Sequence, residues 1–201
     1  MIETVLADDL PVMVRPLVPG DRGSLAEGYR RLSPESRYQR FWVHTGEVMG
    51  ENMLDRLLKH DPGNHSVWAV FDPTRDYPGL GAASYWRSTG DPEEAEFSCT
   101  VLDGDQRRGV GTLLLALLWL EARNAGIHRF VGYTMPENVC AIRWMRDTGA
   151  EAEWDGFKVI FRWDLDDLDR IPPTRAGIAL AERLAEFSEQ LLDEGPGQEP
   201  G

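Results

Sequence analysis

Phe97-Ser98-Cys99-Thr100-Val101-Leu102-Asp103-Gly104-Asp105-Gln106-Arg107-Arg108-Gly109-Val110-Gly111-Thr112-Leu113-Leu114-Leu115 runs from a short β-prone segment, through a charged double-glycine turn, into an apolar-periodic helix. Gln106-x-x-Gly109-x-Gly111 opens that helix with backbone that a ligand can approach closely, because neither glycine carries a Cβ. The first turn of a helix has free N–H groups and the positive end of the dipole, which together suit a phosphate. Arg107 and Arg108 add fixed positive charge at the same place. Two other phosphate loops do not fit. A P-loop needs Lys-Ser or Lys-Thr after its second glycine, whereas Val110-Gly111-Thr112 follows Gly109. A dinucleotide fingerprint needs a further glycine where Leu114 stands.

The rest of the chain bounds what this turn can serve. Its 201 residues suffice for one well-buried domain with an appendage, and 42% hydrophobic residues with seven tryptophans can fill a core. A net charge of −13 argues against a nucleic-acid binder and favours a cationic partner. Cys99 and Cys140 form no disulfide framework, and the histidines show no i, i+4 pair, so neither a metal site nor an oxidising compartment is indicated. Acids at Glu3, Asp8 and Asp9 are unlike a signal peptide, and no apolar run reaches membrane-spanning length. A cytoplasmic protein, monomeric or homodimeric, is the expectation.

Outward from the turn, periodicity predicts a mixed α/β domain. Strands are expected over Val12–Leu17, His65–Phe71, Leu80–Arg87, Ala95–Leu102 and Arg129–Tyr133, with a final hairpin turning at Trp154-Asp155-Gly156-Phe157. Helices are expected after Asp21 or Ser24, after Ser33-Pro34, over Glu47–Lys59, over 109–125 and over Asn138–Thr148. Residues 165–194 change in kind: an acidic linker broken by Ile171-Pro172-Pro173 leads into an amphipathic helix, with Leu180, Leu184, Phe187 and Leu191 on one stripe. That helix should dock on the domain or, failing that, on a second copy. Residues 195–201 read as a disordered tail.

Gln106-x-x-Gly109-x-Gly111 resembles the Q/R-x-x-G-x-G/A signature of the GNAT acyltransferases. Asn138-x-x-Ala141, followed by Trp144, Met145 and Gly149, resembles the family's second element, one helix and one strand further on. The order of elements over residues 10–164 is similar too. The resemblance implies a single GNAT fold with an added C-terminal helix, binding acetyl-CoA and needing no metal. It implies that Gln106, Arg107, Arg108, Gly109, Val110, Gly111 and Thr112 hold the pyrophosphate. It also implies that the strand edge Cys99-Thr100-Val101 pairs with the pantetheine arm, one of its N–H groups polarising the thioester carbonyl, and that Asn138 helps hold the arm. Read from the residues alone, Asn138 is a helix N-cap and the strand edge is plain core.

Acyl transfer to an amine also needs a base and an acid. Glu96 begins the strand that lines the thioester, and bacterial protein-lysine acetyltransferases look similar there, with an Ala-Glu start at that spacing. A half-buried glutamate at this point, its pKa raised by burial, is the expected base. Many GNATs place a tyrosine acid where Met145 stands; Tyr133, Tyr85 or water could replace it, or the thiolate could leave unprotonated, and the sequence does not choose. Leu32-Ser33-Pro34-Glu35-Ser36-Arg37-Tyr38-Gln39-Arg40-Phe41 resembles the L-S-x-E-S-R-Y-x-R-F stretch of the same protein-acetyltransferase group; alternatively it caps and packs a helix, with the arginines on its wet face. The acceptor expected is a primary amine, a protein lysine ahead of a polyamine or aminoglycoside. A non-catalytic acyl-CoA-binding module is the reading from another class.

Overall fold

The computed structural model describes residues 1–59, 61 and 63–193 of the chain. At its centre is one sheet built from β1 (Ile2–Val5), β2 (Pro11–Pro16), β3 (His65–Phe71), β4 (Gly79–Arg87), β5 (Glu94–Val101), β6 (Arg129–Thr134), β7 (Glu151–Trp154) and β8 (Val159–Asp164). Their spatial order is β1-β2-β3-β4-β5-β6-β8-β7. Hairpins and meanders make every pair antiparallel except β5 with β6. That pair is parallel because a whole helix, α4 (Val110–Asn124), crosses between its strands.

Two layers of helix cover the sheet. On one face α4 is buried on nearly every side: Leu113, Leu114, Leu117 and Leu118 join Leu80, Phe97 and Phe130 in the main core. It can be so apolar because the sheet lies beneath it, while α6 (Arg175–Asp193) packs against it and sends Leu180, Leu184 and Phe187 into the same core. The side chain of Leu191 and the expected tail 195–201 lie outside the described residues. Alongside runs α5 (Val139–Asp147). The other layer, α1 (Arg22–Arg31), α2 (Pro34–Phe41) and α3 (Glu51–Leu58), holds a smaller cluster of Tyr29, Leu32, Met49 and Leu54. Among the described residues no helix is long and apolar enough to cross a membrane.

Local chemistry explains most boundaries. Ser33 caps α2 by accepting from the Ser36 N–H at 3.1 Å, with Pro34 in the first turn. Asp21 precedes α1 without capping it; its carboxylate instead takes both Nη atoms of Arg15 at 2.7 Å, which neutralises the arginine embedded in β2. Residues 47–50 are not helical, so α3 starts later than its apolar stripe suggests, behind Gly50. β1 was not expected at all. It pairs with β2 through a turn at Leu6–Leu10 in which Asp9 has φ 61°, and that turn packs against the opening of α4.

Candidate active site

β5 and β6 pair at Glu94↔Arg129, Ala95↔Phe130 and Glu96↔Val131, and there the pairing stops. β5 stays tied to β4 as far as Val101, and β6 stays tied to β8 as far as Thr134. The strands therefore part from Phe97 and Gly132 onward, leaving a wedge. Backbone groups alternate sides along a strand. The Leu102 N–H donates to the Leu80 carbonyl on β4, and the Glu93 carbonyl accepts from His128 and Arg129 at the start of β6. Counting by twos from either end, Ser98 and Thr100 face β4, while Phe97, Cys99 and Val101 face the wedge. Of the expected edge Cys99-Thr100-Val101, only the first and last thus offer backbone groups to the opening. Those groups need a partner, and within the protein Gln106 Nε2 reaches the Val101 carbonyl at only 3.4 Å.

The wedge leads to the double-glycine turn. Arg107 and Gly109 have φ of 64° and 93°, a left-handed bend at which glycine carries no Cβ penalty. The first bond within α4 is Leu113 N–H to the Gly109 carbonyl, so the N–H groups of Val110, Gly111 and Thr112 project unbonded from the helix start. A Cβ on Gly111 would meet the Trp144 ring at 3.4 Å. Trp144 Nε1 donates to the Thr112 hydroxyl at 3.1 Å, so that side chain is engaged in seating α5 on α4. Arg107 is exposed and makes no ion pair among the described residues. Arg108 is a correction to the expected phosphate charge, because its guanidinium is already neutralised. It donates to Asp8 and to the buried Asp105, each at 2.7 Å, and Asp105 also takes both Nη atoms of Arg75. The Arg108 guanidinium in turn holds the Asp8 carboxyl below its usual range. Arg108 thereby braces the turn against the N-terminal hairpin.

Alternation of side chains along β5 puts Ala95, Phe97 and Cys99 toward α4, and Glu96, Ser98 and Thr100 toward α1–α3. Glu96 is exposed, not half-buried as expected, because the sheet opens directly beyond it and β6 no longer flanks it past Val131. Arg37 and Arg40 turn inward instead of lining a wet face. Arg37 is buried and donates to the Leu32 carbonyl at 2.7 Å. Arg40 donates through Nη2 to Ser98 Oγ at 2.8 Å, and Ser98 shares a contact of 3.2 Å with Ser84 Oγ. Burial lowers the Arg40 pKa, opposed chiefly by the charge of Glu96. The sequence held one sign of this, the phase of Arg40 with Arg37 along α2, but what they meet lies far away in the chain.

Tyr133 stands two residues beyond Val131 and shares the Glu96 face, across the wedge from Ser98. It is half-buried, with Lys158 Nζ 4.1 Å from its ring centroid. Burial and, after it, Glu96 and Glu94 raise its pKa, against Arg162. Tyr85 lies instead in the main core on the α4 side. Asn138 caps α5, its Oδ1 accepting from the Ala141 N–H at 3.1 Å. Met145 is buried in the main core. The Cys99 sulfur packs toward Gly111, and burial pushes its pKa up to about 12, which leaves it no thiolate for nucleophilic attack.

A model of the acetyltransferase (GNAT) domain matches residues 12–151. Acetyltransferase Pat of Mycolicibacterium smegmatis is 27% identical over 160 residues, spanning 79% of this chain and 47% of that protein. The chain thus spans about half the length of the curated relative it matches. The crystal structure of the GNAT domain of S. lividans PAT superposes with a TM-score of 0.75 at 27% identity, covering 81% of this chain and 96% of that one. The structure of yncA from Salmonella typhimurium with its cofactor acetyl-CoA superposes with a TM-score of 0.60 at 19% identity, covering 78% and 95%, a likeness of fold.

Proposed function

The chain belongs to the GNAT acetyltransferase family, and from that premise we propose that it moves an acetyl group from acetyl-CoA to a primary amine, a protein lysine first among them. The observation that carries this reading is the parting of a parallel strand pair after Glu96↔Val131, beside a turn of unbonded N–H groups. That combination fits a long co-substrate with an anionic head and an amide-bearing arm. The N–H groups of Val110, Gly111 and Thr112 bind the pyrophosphate, with Arg107 and Gln106 at its edge. Cys99 and Val101 supply backbone pairs to the pantetheine arm, and Asn138 has a side-chain amide group left to add. One N–H on that edge polarises the thioester carbonyl, a role typically worth about 3 kcal/mol.

The acceptor arrives on the face of Glu96. Glu96 removes a proton from the ammonium, directly or through water. The freed amine attacks the carbonyl carbon, a C–N bond forms, and the C–S bond breaks with its electron pair leaving on sulfur. Tyr133 protonates that sulfur, and the second proton shed by the nitrogen restores the tyrosine. The balance is amide, free thiol and one proton released. Tyr133 takes the part that Met145 cannot, because it opens on the wedge with a hydroxyl that its surroundings keep protonated.

Three things support a protein lysine as acceptor: the likeness to Pat, the Leu32–Phe41 stretch and the negative charge of the chain. The test is mass spectrometry of a cell lysate incubated with the protein and labelled acetyl-CoA. Labelled lysines are expected. Label confined to small metabolites would overturn the lysine assignment, and the absence of any label or thiol release would overturn the enzyme reading.

A further inference from the structure

Arg40 presents its guanidinium on the Glu96 face of the sheet, beside Ser98. It makes no ion pair among the described residues, and its hydrogen bond to Ser98 leaves most of the guanidinium donors unengaged. Arg40 is half-buried with its guanidinium over the Phe41 ring, and its free donors can take up a carboxylate that comes from outside the chain. Arg40 also lines a cavity of about 110 Å³ between the sheet and α1–α3. Since roughly 10–15 Å³ by this measure holds one water, there is room for an aliphatic or aromatic side chain. Tyr29, Leu32, Phe41, Met49, Leu57 and Phe71 make its walls predominantly apolar. Glu96 lies on the same face, close enough for its charge to act on Arg40.

We propose that this face is a binding site for free α-amino acids with apolar side chains, which serve as a second class of acetyl acceptor. The ammonium group meets Glu96, the carboxylate pairs with Arg40, and the side chain enters the hollow. Glu96 and Ser98 are two residues apart on one face, roughly 6.6 Å along the strand. Two hydrogen bonds of about 2.8 Å and the N–Cα–C unit of an amino acid can bridge that gap. A planar guanidinium suits a carboxylate because it can bind both oxygens. A lysine side chain carries no carboxylate beside its ammonium and would leave Arg40 unanswered. The proposal rests on Glu96 being the base, and it stands apart from the lysine assignment.

Two experiments test it. Isothermal titration of the full chain with L-leucine, L-methionine and L-phenylalanine should give saturable binding without acetyl-CoA. Isoamylamine and phenethylamine, which lack the carboxylate, should bind about ten- to a hundredfold more weakly. With acetyl-CoA present, thiol release should follow the same ranking. Arg40→Leu should remove the difference between the two sets of ligands. If that variant fails to fold, the comparison of amines with amino acids on the unaltered chain decides alone. Absence of binding and thiol release with every amino acid would overturn the proposal, as would equal binding with and without the carboxylate. If a lysine peptide is labelled while amino acids stay inert, this proposal fails and the lysine assignment stands. Acetylated amino acids beside an inert lysine peptide would support the proposal and overturn the lysine assignment.

Discussion

Glu96 and Tyr133 carry the two proton transfers of the proposed reaction. A base is needed while the acceptor is an ammonium, so Glu96→Gln should lower kcat by about a hundredfold or more, most clearly below neutral pH, where the amine is almost wholly protonated, with little change in acetyl-CoA affinity. Tyr133 must be protonated to donate. Its pKa is raised, so it keeps the proton until the pH passes above the ordinary tyrosine value of about 10. The pH profile of kcat should therefore fall on the alkaline side in the native chain, and Tyr133→Phe should lower the plateau and abolish that limb. An unchanged limb in the variant removes Tyr133 from the chemistry. The two thiols offer an independent check on burial. Cys140 is exposed, whereas the Cys99 thiol is pushed up to about 12, so iodoacetamide at pH 8 should label Cys140 and spare Cys99 until the chain unfolds.

The turn and the C-terminal helix are where single elements can be broken on purpose. Gly109 holds φ 93°, so Gly109→Ala should cost about 1–2 kcal/mol of stability and raise the KM for acetyl-CoA, read by thermal melting and steady-state kinetics together. Phe187 is fully buried where α6 meets α4, and Phe187→Ala should cost about 3–5 kcal/mol, measured by denaturant unfolding. A loss within experimental error would mean that α6 is not part of the cooperative core. The double-glycine turn, the Ser33 and Asn138 caps and the C-terminal stripe are legible in the sequence because each is local: a positive φ, a side chain three residues from its N–H, a repeat of three and four. The exposure of Glu96, the inward turn of Arg40 and the neutralised Arg108 are not, since each depends on a strand parting or on partners such as Asp8 and Ser98 that lie far along the chain. β1 escapes for another reason. Its turn, Leu6-Ala7-Asp8-Asp9-Leu10, contains no glycine or proline, and Asp9 adopts the left-handed bend unannounced.

Across the whole molecule, the alternation along β5 makes a prediction that can be read residue by residue. Without ligand, the amides of Cys99 and Val101 should exchange hydrogen quickly, while those of Ser98 and Thr100, bonded to β4, should be protected. Acetyl-CoA should slow the first pair and leave the second as it was; uniform protection before ligand is added would contradict the open edge. Saturation should also stabilise the fold, by about 2.7 kcal/mol at a hundred times Kd. The reason reaches beyond a pocket being filled. Three residue pairs, Glu94 to Glu96 with Arg129 to Val131, form the strand ladder that joins a five-stranded plate to a three-stranded one. In the reaction proposed above, the co-substrate's arm supplies rungs that the polypeptide lacks, and the sheet would borrow its missing strand, return it and borrow it again at every turnover.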